Sequence, residues 1–132
     1  MALPSMNPSE STNADRLKGI RILYVEDEAD VGALFSLLLD MMGCKTRWVC
    51  SADAALQESI QDFDLLLSDV QMPGSMDGVS LAENIARQRP ELPILLVSGY
   101  IPSSERLQHL QACVLAKPVG MTALRDAILQ CI

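Results

Sequence analysis

Polar residues stand at the ends of apolar runs. Glu26 and Asp27 follow Ile22–Val25, Asp69 follows Leu65–Ser68, Ser98 follows Ile94–Val97, and Lys117 follows Val114–Ala116. Brought into one crevice, the three carboxylates of Glu26, Asp27 and Asp69 repel one another by roughly 4 kcal/mol per close pair at an effective dielectric near 20. A divalent cation together with the Lys117 ammonium supplies three compensating positive charges. A hard ligand set made only of oxygens suits Mg²⁺, which binds through one or two carboxylates and keeps waters or phosphate oxygens. An aspartate can attack a phosphoryl group and form a mixed anhydride. The metal then neutralises developing charge, Lys117 adds a compact positive charge, and the Ser98 hydroxyl can bond a phosphoryl oxygen. The plain alternative is that each acid merely ends a strand or caps a helix. That account suffices for any one residue, but not for all of them at strand ends in this order.

These residues need a scaffold that ends several strands at one edge. Ile22–Val25, Leu65–Ser68 and Ile94–Val97 read as buried strands, Lys45–Cys50 as an edge strand, and Val114–Ala116 as a short last strand. Helix-period segments lie between them. The first carries Val31, Leu34, Phe35 and Leu38 on one face and stops at Gly43. The second starts at Ser51 and carries Leu56 and Ile60. A third carries Leu81 and Ile85, a weak one runs from about Ser103 to Leu110, and the last runs from Met121 to Cys131 with Leu124 and Ile128 inward. Five strand–helix pairs with continuously apolar strands predict an α/β fold, a parallel sheet covered on both faces. In such sheets ligands bind outside the carboxyl ends of the strands, near the point where strand order reverses.

Composition narrows the function. The 132 residues suit one domain, and 49% are hydrophobic, enough for a core. The formal net charge is -7, and the sequence has no Lys/Arg cluster, so no nucleic-acid partner is expected. No apolar run approaches the ~20 residues of a membrane span, so no membrane partner is expected. Residues 1–17 lack a basic start and a long apolar stretch and read as a disordered leader, with the domain taken as residues 18–132. Cys44, Cys50, Cys113 and Cys131 show no metal-binding spacing and read as reduced thiols in a reducing, cytoplasmic setting. His109, the single histidine, reads as a solvated or packing residue.

The segments YVEDE, LLLSDVQMPGSMDG, LLVSG and AKP, in this order, resemble the marker segments of the response-regulator receiver domain of two-component signalling. The resemblance spans about Arg21 to Ile132. It implies a flavodoxin-like doubly wound fold with five parallel strands in the order 2-1-3-4-5. It also implies roles. Asp69 matches the phospho-acceptor, Asp27 a direct Mg²⁺ ligand, Glu26 a ligand acting through water, and the Gln71 backbone carbonyl the third protein ligand. Ser98 matches the switch hydroxyl and Lys117 the phosphate-pairing lysine, and the bond before Pro118 is expected to be cis. The phosphoryl donor would be a phosphohistidine of a histidine kinase or histidine phosphotransfer protein. The chain would act on itself alone rather than as an enzyme on other substrates, and phosphorylation would switch binding to a downstream protein.

The sequence departs from the family pattern in three places. PGSMDG is one residue longer than the common loop, the stretch from Ser98 to Lys117 is short, and Val114 stands where an aromatic is usual. Tyr100 is then the nearest aromatic that could report switching. The longer loop and SGY resemble receivers attached to sensor kinases. Other readings stay open: a phosphate shuttle or sink in a phosphorelay, a flavodoxin-like cofactor binder, or an aspartate-nucleophile phosphatase. Glu-Asp-Glu after the first strand argues against the cofactor binder, and Gln71 in place of a second acid argues against the phosphatase.

Overall fold

The computed structural model of the protein describes residues 15–100 and 102–132. Five strands form one parallel sheet: β1 (Arg21–Val25), β2 (Lys45–Val49), β3 (Leu65–Asp69), β4 (Ile94–Ser98) and β5 (Cys113–Ala116), in the order β2-β1-β3-β4-β5. The expected order is therefore observed. The chain leaves β1 toward one edge and returns on its other side at β3, so strand order reverses between β1 and β3.

The helices are α1 (Ala29–Met41), α2 (Ala52–Leu56), α3 (Gly78–Gln88), α4 (Ser104–Leu107) and α5 (Met121–Cys131), with a 3-10 turn at Ile60–Asp62. Alternate residues of a strand face opposite ways, and two cores result. Ile22, Tyr24, Leu65, Leu67, Leu95 and Val97 pack with Phe35 and Leu39 of α1 and Leu124 and Ile128 of α5. Leu23, Val25, Leu66, Ile94 and Leu96 pack with Ala55 of α2 and Val79, Ala82 and Ile85 of α3. Burial on both faces explains why β3 and β4 are apolar without alternation.

Local chemistry sets the helix ends. Asp77 accepts from the Ser80 N–H at 2.9 Å and starts α3, and Ser51 does the same for α2 through Ala54 at 3.0 Å. Gly43, at φ +91, ends α1 in a conformation that costs other residues strain.

Several expectations are corrected. Leu34 is not on the core face of α1; it is 54% exposed, and the inward stripe is Gly32, Phe35 and Leu39. The reason is Trp48 on β2, whose ring lies against Gly32 so closely that a Cβ there would sit 2.0 Å from it. The second helix ends at Leu56, and Ile60 belongs to the separate 3-10 turn, whose carbonyls at Ile60 and Phe63 accept from the Arg89 guanidinium. The weak helix reduces to the single turn Ser104–Leu107. The leader expected through Leu17 falls mostly on residues 1–14, outside the described part, while Leu17 itself is buried in the core. Finally, β5 and the end of α5 bring the sulphurs of Cys113 and Cys131 together with Cα atoms 6.3 Å apart, a span that suits a disulfide. Cys44 and Cys50 are free.

Candidate functional site: an acidic crevice at the strand ends

The β1–β3 reversal brings the acids together. Oxygens of Glu26, Asp27 and Asp69 all lie within 4.8 Å of one another. Asp69 is 5% exposed at the last residue of β3, and Glu26, just past β1, is 1% exposed. Asp27 is more open to solvent than either. The donor set is purely carboxylate oxygen, so it fits a hard cation such as Mg²⁺.

Lys117 reaches in from the end of β5. Its Nζ donates to Asp69 Oδ2 at 2.9 Å, and the Lys117 N–H donates to the Ser98 carbonyl at 2.8 Å, tying the ends of β4 and β5. Burial lowers the ammonium pKa, but the Asp69 hydrogen bond and the charges of Asp69, Glu26 and Glu28 outweigh it and hold the group above its usual range. The Lys117–Pro118 bond is cis, as the resemblance implied. The other Asp69 oxygen, Oδ1, accepts from the Gln71 N–H at 3.2 Å.

Glu26 is a costly carboxylate. Burial pushes its pKa up to about 7, with Asp69 adding to the rise, while the Glu28 N–H at 3.2 Å and the Lys117 charge oppose it. The Trp48 indole N–H donates to the Glu26 carbonyl at 3.0 Å and anchors the backbone of this loop. Gly78 allows the other wall to close: its N–H donates to the Val70 carbonyl, and a Cβ there would meet the Asp69 carbonyl oxygen at 2.1 Å. Only glycine lets α3 start this close to β3.

Ser98 is buried at the end of β4, and its Oγ accepts from the Tyr100 N–H at 3.2 Å. Tyr100 is 62% exposed. It lines an open hollow with Gln71, Met72, Pro73, Asp77, Pro102 and Arg106. Across that hollow Arg106 makes two bonds to the Asp77 carboxylate, at 2.9 and 3.1 Å. Sequence reasoning missed this pair, as it did Gly78, Trp48 and Tyr24. The Asp77-Gly78 dipeptide at the start of α3 was the one available signal.

Among the described residues no helix is long and apolar enough to cross a membrane. The family model described as the response regulator receiver domain matches residues 22–129. The nitrogen assimilation regulatory protein NtrX of Azorhizobium caulinodans is 36% identical over 81 residues, covering 60% of this chain and 18% of that protein. The sensor histidine kinase GacS of Pseudomonas protegens is 31% identical over 139 residues, covering 98% of this chain and 15% of that protein. The chain thus spans a minor part of either relative. The crystal structure of the response regulator TrrA from Thermotoga maritima in complex with Mg²⁺-BeF superposes with a TM-score of 0.77 at 22% identity, covering 86% of this chain and 99% of that one. This last likeness concerns the fold.

Proposed function

The chain belongs to the response-regulator receiver domain family, and from that premise we propose that it accepts a phosphoryl group on Asp69 and thereby switches a protein contact. The observation that carries the reading is the Asp69 carboxylate itself, buried at a strand end, 2.9 Å from Lys117 Nζ and grouped with Glu26 and Asp27.

The donor would be a phosphohistidine of a histidine kinase or histidine phosphotransfer protein. An Asp69 oxygen attacks phosphorus, the P–N bond breaks, and the departing imidazole takes a proton from solvent. Asp27 and Asp69 would hold Mg²⁺ with the Gln71 carbonyl, and Glu26 through water; when bound, the cation neutralises the charge gathering on the phosphoryl oxygens. Lys117 sits on Asp69 and is placed to move with the new charge, and Ser98 at the neighbouring strand end can bond a phosphoryl oxygen once it releases the Tyr100 N–H. Positioning and charge compensation do most of the catalysis, so the protein is a catalyst of its own phosphorylation and dephosphorylation only. The setting would be cytoplasmic, and the downstream target a protein. The Mg²⁺-BeF complex of TrrA supports a cation at this kind of site.

The test is intact-mass spectrometry after treatment with acetyl phosphate. The expected result is one phosphoryl adduct that needs Mg²⁺ and disappears in Asp69→Asn. Labelling that persists in that variant, or needs no Mg²⁺, overturns the assignment.

A further inference from the structure

Beneath the acids, on the same face of the sheet, lies a phenol with an unmet hydrogen bond. Tyr24 precedes Glu26 by two residues on β1, so both side chains leave the same face. Its register partner on β3 is Leu67, two residues before Asp69. Tyr24 is 2% exposed, and its ring packs edge-on against Phe35 with centroids 6.2 Å apart. Its hydroxyl has no hydrogen-bond partner among the described residues. Leaving such a group unpaired costs roughly 1–3 kcal/mol, a cost that phenylalanine would avoid in the same volume. A partner is therefore called for.

The surroundings indicate which one. Tyr24 borders a small cavity whose other lining residues are Glu26, Phe35, Leu67, Asp69, Val97 and Leu124. Glu26 and Asp69 are among its lining residues, and the rest of the lining is apolar. The cavity leaves ≈ 10 Å³ for the centre of a water, about the least that holds one molecule. A buried water needs two to four polar partners. Tyr24, Glu26 and Asp69 are the polar residues that line this cavity.

We propose that the Tyr24 hydroxyl and one buried water form the hydrogen-bonded floor of the acidic crevice, orienting the Glu26 and Asp69 carboxylates from below. The phenol donates to the water, and the two water protons point at the carboxylates. Donors on this side favour the charged carboxylates and leave their outward lone pairs to the cation. Tyr24 touches neither cation nor phosphoryl group; it is a positioning residue. This inference rests on the reading of Glu26 and Asp69 as the cation site.

Tyr24→Phe removes the oxygen and keeps the ring. Mg²⁺ titration of the metal-free protein should show affinity lowered about ten-fold, the lower end for loss of a group that orients a ligand. The thermal midpoint of the metal-free protein should barely move, whereas a purely packing role, with the hydroxyl unpaired, would raise the midpoint and leave affinity intact. A high-resolution crystal structure of the wild type should show a water within hydrogen-bond distance of Tyr24 Oη and at least one of the two carboxylates. Unchanged Mg²⁺ affinity in Tyr24→Phe, or a wild-type cavity without that water, overturns the inference. A wild type that binds no Mg²⁺ overturns the functional reading as well, so the two failures are told apart.

Discussion

Lys117 Nζ and Asp69 Oδ2 lie 2.9 Å apart although 48 residues separate them in sequence. The contact exists because β3 and β5 both pair with β4 and end at the same edge of the sheet. One ammonium thereby feels the charges of Asp69, Glu26 and Glu28.

Lys117→Ala should therefore tighten Mg²⁺ binding while slowing phosphoryl transfer. Taking away a positive charge that is bonded to a carboxylate ligand of the cation removes a repulsion between like charges, discounted because the lysine is partly exposed. A gain of several-fold in Mg²⁺ affinity is expected, with acetyl phosphate labelling strongly slowed. Calorimetry and timed mass spectrometry check the two arms; weaker Mg²⁺ binding in the variant would contradict the charge argument.

Asp27→Ala should weaken Mg²⁺ binding more than Glu26→Ala does. A direct ligand loses a metal–oxygen bond, whereas a group acting through water loses an outer contact. Trp48, bonded to the Glu26 carbonyl, is a local fluorescent reporter for both titrations. Equal losses would show that the two acids share one role.

Stability of the metal-free protein should fall as pH rises between about 4.5 and about 7. Burial lifts the Glu26 pKa from 4.5 to about 7, so in that window the folded state holds a proton that the unfolded chain has released. Stability falls with pH wherever the folded state binds more protons. Mg²⁺ requires the ionised form, so its stabilising effect should grow across the same window and level off above it. Thermal midpoints against pH, with and without Mg²⁺, measure this, and Glu26→Gln should flatten the metal-free slope.

Activation should loosen the segment from Gly99 to Leu110. Ser98 Oγ currently accepts from the Tyr100 N–H, and Arg106 clamps α4 to Asp77. Recruiting the Ser98 hydroxyl to a phosphoryl group removes the first tether, and Val114 offers no ring to fill the space left behind. Hydrogen exchange of the BeF-treated protein should rise across this segment. Arg106→Ala should raise it without phosphorylation at a global cost below about 1 kcal/mol, as for other exposed ion pairs. Changes confined to the immediate surroundings of Asp69, or unaltered partner binding in Tyr100→Ala, would refute this switch.

The sequence by itself determined the strands and the chemistry at their ends. Strands buried on both faces must be apolar throughout, so Leu65–Ser68 and Ile94–Val97 stand out without any knowledge of neighbours, and the polar residue that follows each run marks the open edge. Asp69, Glu26, Asp27, Ser98 and Lys117 were legible for that reason. Only the tertiary structure decided what depends on a partner far along the chain. Leu34 looks inward by helical spacing, yet Trp48 seats itself on Gly32, so Gly32 and Leu39 join Phe35 on the inward face and Leu34 is left exposed. Cys113 and Cys131 meet because β5 and α5 pack together. Tyr24 reads as one more apolar residue of β1 until the fold leaves its buried hydroxyl unpaired among the described residues, in a cavity that Glu26 and Asp69 also line. Periodicity reports how much of a side chain is buried; which atoms surround it is set by strand order and helix packing.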